Sequence, residues 1–468
     1  MSLEGAIAAQ RFGLGARPGE IEAASAAPKA WLLEQLDSPV DQPQPVDGGA
    51  PFQSGGDLVG ALLQYRQDRK MERQAAAAAM AADPSKPNAA PDPVKIFFKT
   101  FVAEYTREMA GRFALGFTTQ KPFAERLVWF WSNHFTVSAL NPADVTLVGA
   151  FEREAIRPNI TGKFEDMLLA STRHPAMQIY LDNAQSIGAD SIAGHLSGKG
   201  INENLGREIM ELHTLGVRGG YTQADVIAMA NILTGWSIDR QGGGTGFRYY
   251  PARHEPGDIV LRGKTYNGGE EAGIAALKDL AHDPATARHI ANKFAVAFIA
   301  DEPSAASVAR LEKSFNQTGG DLKALAHTAL DDPAAWKPGA GKMRNPVEYT
   351  TAAMRMLGWP RSNTDQDKQV RGVMAATRSM GAFPFAAPSP KGWPDSSDAW
   401  SGPDALLNRI QWAKELGNRL PQNFDAQAVA ERGLGPLLQA ATRAAMKASA
   451  TPGEAVALVV SSPEFQRR

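Results

Sequence analysis

The sequence predicts an all-α protein, a multi-helix globular array interrupted by one small β-hairpin insertion at about 247–266. Three observations predict it. Apolar residues recur at helical spacing over long stretches, as in Phe97, Phe98, Phe101, Val102 and Tyr105, and again in Leu127, Val128, Trp131 and Phe135. Asn141-Pro142-Ala143-Asp144 and Arg157-Pro158-Asn159 carry the cap and proline signals that separate one helix from the next. β-Formers gather in one region, FRYY (247–250) and DIVLRGKTY (258–266), behind the glycine-rich Gln241–Gly246.

In chain order, residues 4–36 predict two short helices, with Ile7, Ala8 and Phe12 near the first and Trp31, Leu32, Leu33 and Leu36 in the second. The glycines between 13 and 19 break them apart. Residues 38–56 and 82–93 are Pro-rich loops, and between them Leu58 to about Met80 is a helix. Residues 94–237 form a helical core that carries the candidate site, and 241–268 are the Gly-rich loop and hairpin. A C-terminal helical part covers 271–468, with helices expected at 404–418, 425–447 and 452–461. Within it, 382–403 is too aromatic for a solvated linker and is expected to pack on the body as an ordered loop. Length alone suggests roughly two to three domains' worth of chain, and no repeat of fixed period is evident.

Composition removes several function classes. With 49 Lys+Arg against 50 Asp+Glu, nothing favours a phosphate-backbone partner, so no nucleic acid is expected. A 43% apolar content supplies a sizeable core. There is no cysteine, which excludes disulfides, thiolate metal sites and cysteine nucleophiles. No run reaches the roughly 20 apolar residues that span a bilayer, so a soluble chain is expected. MSLEGAIAAQRFGLGARPGE shows no basic stretch leading into an apolar one, so no signal peptide is visible.

Short catalytic signatures fail as well. Gly257 to Thr265 ends in Gly-Lys-Thr, but its glycines are one residue too far apart for a phosphate-cradling loop and no helix opens at Lys264. Gly13-Leu14-Gly15 lacks the preceding strand of a dinucleotide fold. Neither a Gly-x-Ser-x-Gly elbow nor a His-Glu-x-x-His helix occurs. No cofactor is predicted, and a divalent metal is left open.

The densest chemistry lies in residues 202–225. On a helix, Glu203, Asn204, Arg207, Glu208 and Glu211 share one stripe, opposite Leu205, Ile209 and Leu212. The bland account is a solvated ladder of i, i+4 pairs from Glu203 through Arg207 to Glu211. The functional account puts Glu208 and Glu211 into a pocket, to divide acid and base roles or to hold a hard cation. His213 falls towards the apolar side, away from Glu208. Thr222 is a good N-cap, with Asp225 at its capping-box position.

Three further segments carry candidates. In Arg126 to Phe135, Asn133 and His134 end an aromatic helix, facing either the core or a cleft walled by Trp129 or Trp131. The charges of Phe151 to Asn159 are expected to be ion-paired helix surface. Arg253-His254-Glu255 places a histidine on a loop.

Taken together, these segments resemble DUF1800, an uncharacterised family of bacterial proteins. The likeness is carried by RFGLGARPGEI, RLVWFWSNHFTVS, FEREAIRPNITGKFEDMLLASTRHPAM and, most specifically, NENLGREIMELHTLGVRGGYTQADVIAMANILTGW. It continues in HEPGDIVLRGKTYNG, ARHIANKFAVAFIAD, KMRNPVEYTTAAMRMLG, KGWPDSSDAW and SSPEFQRR, over nearly the whole chain, which implies that 1–468 is a single unit. The resemblance brings no assigned activity. It implies export, and a partner resembling a sulfatase-type hydrolase, although this chain shows no export signal.

The leading expectation is a hydrolase or lyase acting on a polymer or glycan. Its catalytic candidates are Glu208, Glu211, His134, Arg207, His213 and His254. Its substrate-binding candidates are Glu203, Asn204, Asn133, Trp129, Trp131 and Asp225. It requires Glu208 and Glu211 to converge with a histidine in one concave pocket. The alternative is a non-catalytic helical scaffold or accessory protein in export or surface-polymer handling, which requires an exposed apolar patch.

Overall fold

Proline sets the rhythm of this fold without breaking it. Many helices open on a proline in the first turn, where its missing N–H has no partner to lose and its fixed φ already suits the helix. Pro122, Pro142, Pro284, Pro346, Pro403 and Pro452 all stand there in the computed structural model. The structure describes residues 1–82, 97–139, 141–241, 243–338, 341–360 and 365–468. Most of the expected 82–93 loop lies outside them.

The principal helices are α1 (Gly55–Ala82), α2 (Ala103–Thr118), α3 (Pro122–His134) and α4 (Pro142–Phe151), then the short α5 (Asn204–Glu208) and α6 (Gln223–Ile232). After the β region come α7 (Pro284–Phe298), α8 (Pro346–Met356), α9 (Pro403–Asn418) and α10 (Pro452–Ser461). The array is all-α apart from two small antiparallel pairs. Strand β1 (Trp236–Ile238) pairs with β2 (Phe247–Tyr249), and β3 (Asp258–Leu261) pairs with β4 (Lys264–Asn267). The β insertion is therefore two hairpins, and it begins earlier than FRYY. Trp-Ser-Ile continues a helical apolar pattern in sequence, and three residues are too few to show a period of two.

One apolar core runs from Ile7 to Phe385, with α3 at its centre. Phe130 packs edge-on against Phe294 and Phe298 of α7, while Trp131 lies near-parallel to Phe135. A second cluster joins Tyr349 of α8 to Trp412 of α9, Val459 of α10 and Phe465. The expected 425–447 helix is two, Ala426–Leu434 and Ala440–Ala448. Gly435, at φ +53°, and Pro436 interrupt it, since proline cannot carry a helix through its interior.

Charged residues also reach the core. The expectation that Phe151 to Asn159 is charged helix surface is overturned at Glu152 and Arg157, which are fully buried. Arg157 forks onto Glu125 at 2.7 Å through both Nη atoms and reaches Glu152 at 2.8 Å. Arg112 Nε and Ser132 Oγ donate to Glu152 at 2.8 Å each. Arg153 and Glu154 keep to the periphery. Alternating signs look alike in sequence whether the helix faces water or a matching set of buried charges.

Candidate functional site

Helix α3 fixes the site. Arg126, Trp129, Phe130 and Asn133 follow one another at three- and four-residue spacing, so they share one face. That face lines a cavity of about 110 Å³. The opposite walls are Ala297 and Phe298 at the end of α7, Asn345 and Glu348 at the start of α8, the 382–395 loop, and Arg468.

Local chemistry holds each wall in place. Asn345 caps α8 through a reciprocal box with Glu348, which turns the Glu348 carboxylate back towards the helix start. Arg126 donates from Nε to the Gly13 carbonyl and from Nη1 to Glu348, both at 2.6 Å, while its buried Nη2 has no partner among the described residues. Arg468 Nε donates to the other Glu348 oxygen at 3.1 Å. Burial works to raise the Glu348 pKa, but Arg468 and Arg126 pull it down to about 2. It is a carboxylate at any working pH.

The loop wall hangs from Asn133. Its Oδ1 accepts from the Trp393 N–H at 2.8 Å, and its Nδ2 donates to the Trp393 carbonyl at 2.9 Å. Gly392 has φ +81°, and a Cβ there would stand 2.5 Å from the Asn133 carbonyl oxygen, so only glycine fits. The loop thus aims Trp393 and Asp395 at the cavity. Trp129 faces the Arg112 guanidinium at 4.9 Å and donates from its indole to Glu125 at 2.8 Å. Asp395 is half-buried and accepts no hydrogen bond among the described residues, although it lies within electrostatic reach of Arg126, Lys293 and Lys342.

The sequence-derived candidates divide among several places. Trp129 and Asn133 line the cavity, but Trp131 is core, wedged against His134, Phe135 and Phe164. His134 and His213 lie together, buried, with His289 beside them. After α5 the chain widens into a π-helical turn, Ile209–His213. Helix ends leave carbonyls without partners, and two imidazoles satisfy them here. His134 Nε2 donates to the His213 carbonyl and His289 Nε2 to the Leu212 carbonyl, each at 3.1 Å. Lys293 Nζ then donates to His134 Nδ1 at 3.0 Å. Burial and the Lys293 charge lower all three imidazoles, His213 to about 3, His289 to about 4 and His134 well below its ordinary value. Burial likewise brings Lys293 down to about 8.

Glu208 and Glu211 are half-buried beside each other and outside the cavity wall. Burial and then Glu211 raise the Glu208 pKa, and both carboxylates bear on Tyr221. No hydrogen bond or ion pair joins either to a histidine among the described residues. Arg207 meets Glu203 at 2.8 Å, and Gln223 bridges the pair, so one rung of the expected ladder exists. Asn204 is exposed, its amide bonded to Asn202. The remaining two candidates hold structure. Asp225 caps α6 by accepting from Thr222 and tethers the β3–β4 turn by accepting from the Arg262 amide at 2.8 Å. His254 donates from Nδ1 to the Thr234 carbonyl at 2.9 Å and accepts from the Gly269 amide at Nε2 at 2.8 Å, so both its nitrogens are used. Among the described residues, no group of three or more acidic or histidine side chains is placed to hold a metal ion.

Sequence reasoning passed over Arg112, Glu348, Trp393, Asp395 and Arg468. Their signal was faint but present: Asn345 to Glu348 spells a capping box, and KGWPDSSDAW is too aromatic for an ordinary loop.

Comparison with known proteins adds one positive finding. The family model described as a protein of unknown function (DUF1800) matches residues 7–467. No curated protein and no solved structure matches the chain.

Proposed function

The chain belongs to DUF1800, and from that premise we propose that it is a hydrolase or lyase working on a glycan or polymer in the cavity under α3. Asp395, rather than the Glu208–Glu211 pair, is its proton-transferring carboxylate. The observation that carries this is the company Asp395 keeps: a carboxylate without a hydrogen-bond donor, on a concave wall, surrounded by cationic side chains. A concave wall with a few convergent polar groups is where such a carboxylate meets a substrate. Trp129 and Trp393 offer flat apolar walls of the kind against which a sugar ring packs.

A screen of glycan and polymer substrates for new reducing ends or unsaturated products tests the reading. Asp395→Asn should lower turnover about 100-fold or more, the ordinary contribution of a general acid or base, with an unchanged melting temperature. Glu208→Gln with Glu211→Gln should leave turnover within about threefold. Full activity in Asp395→Asn, or its loss in the glutamate double variant, overturns the assignment.

A further inference from the structure

Resting on that reading, we propose that the group entering the cavity is an oxyanion, the carboxylate or sulfate of an acidic sugar unit, received by Arg126 and Arg468. Three guanidiniums line the space, and their counter-charges are already shared out. Arg112 is matched by Glu152, which Arg157 also claims. Arg126 and Arg468 must share one carboxylate, Glu348, which gives an oxygen to each. Nearby, Lys342 is paired with Asp301 at 2.9 Å, while Lys293 makes its bond to a neutral imidazole. Two cations therefore share one paired anion, since Asp395, the other carboxylate of this wall, is hydrogen-bonded to neither among the described residues.

The hydrogen-bond inventory points the same way. Arg126 is 4% exposed, and two of its three nitrogens are bonded. Its Nη2 has no partner among the described residues, and where other buried arginines leave an Nε unpartnered, Arg126 leaves a terminal nitrogen free. The free Nη2 offers N–H donors to an oxygen of a carboxylate or sulfate, a charge-assisted bond. The volume fits a group rather than a chain. About 110 Å³ is several times what one water needs, about 10–15 Å³. An acidic unit enters, and the rest of a polymer stays outside. Asp395 repels the anion from its own side and is left facing the atoms next to it.

The test is calorimetric titration of the full chain with sodium sulfate, sodium glucuronate, neutral glucose and sodium chloride, at constant ionic strength. Sulfate or glucuronate should bind and raise the melting temperature, and glucose and chloride should do neither. Whichever anion binds more tightly identifies the source of the oxyanion. Arg126→Lys keeps the charge but loses the free Nη2, and should weaken binding tenfold or more. Asp395→Asn removes the opposing charge and should tighten binding severalfold. If neither anion binds the wild type, or Asp395→Asn leaves affinity unchanged, the inference falls, whether or not Arg126→Lys folds. Anion binding without turnover on any substrate keeps this inference and removes the enzymatic one. Turnover of neutral glycans without anion binding does the reverse.

Discussion

At the scale of single residues, position among partners decides the chemistry. His134 ends an aromatic helix and invites a catalytic role, yet its ring is held between the His213 carbonyl and the Lys293 ammonium. Those partners lie 79 and 159 residues away, beyond the reach of local patterns. Asp225 was legible, because a capping box spans three residues. The imidazole cluster makes a definite pH prediction. Unfolded histidine titrates near 6.5, whereas His213 and His289 are lowered to about 3 and about 4 by burial and then by Lys293, and His134 is also lowered. The folded state therefore binds fewer protons than the unfolded one. The stability these rings contribute is complete above pH 6.5 and falls away as the pH drops towards 4 and then 3. Urea midpoints measured at pH 7.5, 6 and 5 should decline in that order, and His289→Gln should flatten the decline. A midpoint that stays level from 7.5 to 5 would contradict it.

At the scale of elements, two charged helices of similar sequence behave in opposite ways. The Glu203–Arg207 pair stands at a surface that water screens, both side chains more than a third exposed. Arg207→Ala should cost no more than about 0.5 kcal/mol. Arg157, at 0% exposure, holds two buried carboxylates together. Removing one partner of such a set leaves uncompensated charge, so Arg157→Ala should cost about 3–5 kcal/mol or abolish folding. Denaturant titration of both variants separates the cases. The sequence carried the existence of both helices, because apolar periodicity is a local property. It did not carry which face each turns inward, because that depends on what the rest of the chain brings. The π turn at Ile209–His213 displaced the expected acidic stripe for a related reason. Hydrogen bonds of i to i+5 widen the helix, so a projection at 100° per residue loses registration beyond Glu208.

For the whole molecule, the all-α array was legible from periodicity and punctuation, whereas the cavity was not. Its walls come from residues around 126, 297, 348, 395 and 468, and no short pattern unites them. Arg344 shows how far such ties extend. It donates to the Phe465 and Arg467 carbonyls on one side and to Gln10 on the other, binding the first buried helical turn to the last residues described. Arg344→Ala should therefore lower the whole unfolding midpoint, by about 1.5–3 kcal/mol of stability, in one transition and not as a separate early melt of the C-terminal helices. Two-probe denaturation, tryptophan emission against far-ultraviolet circular dichroism, checks this.

The Arg126–Glu348–Arg468 triad has a consequence in time. Its members are joined across 222 and 120 residues of chain. A ribosome delivers Arg126 early, Glu348 much later and Arg468 last of the three. Until then Arg126 and Glu348 can find each other, but one wall of the cavity is absent. The nascent chain can bury most of its core while still lacking that wall, so the closed cavity forms only once Arg468 has emerged.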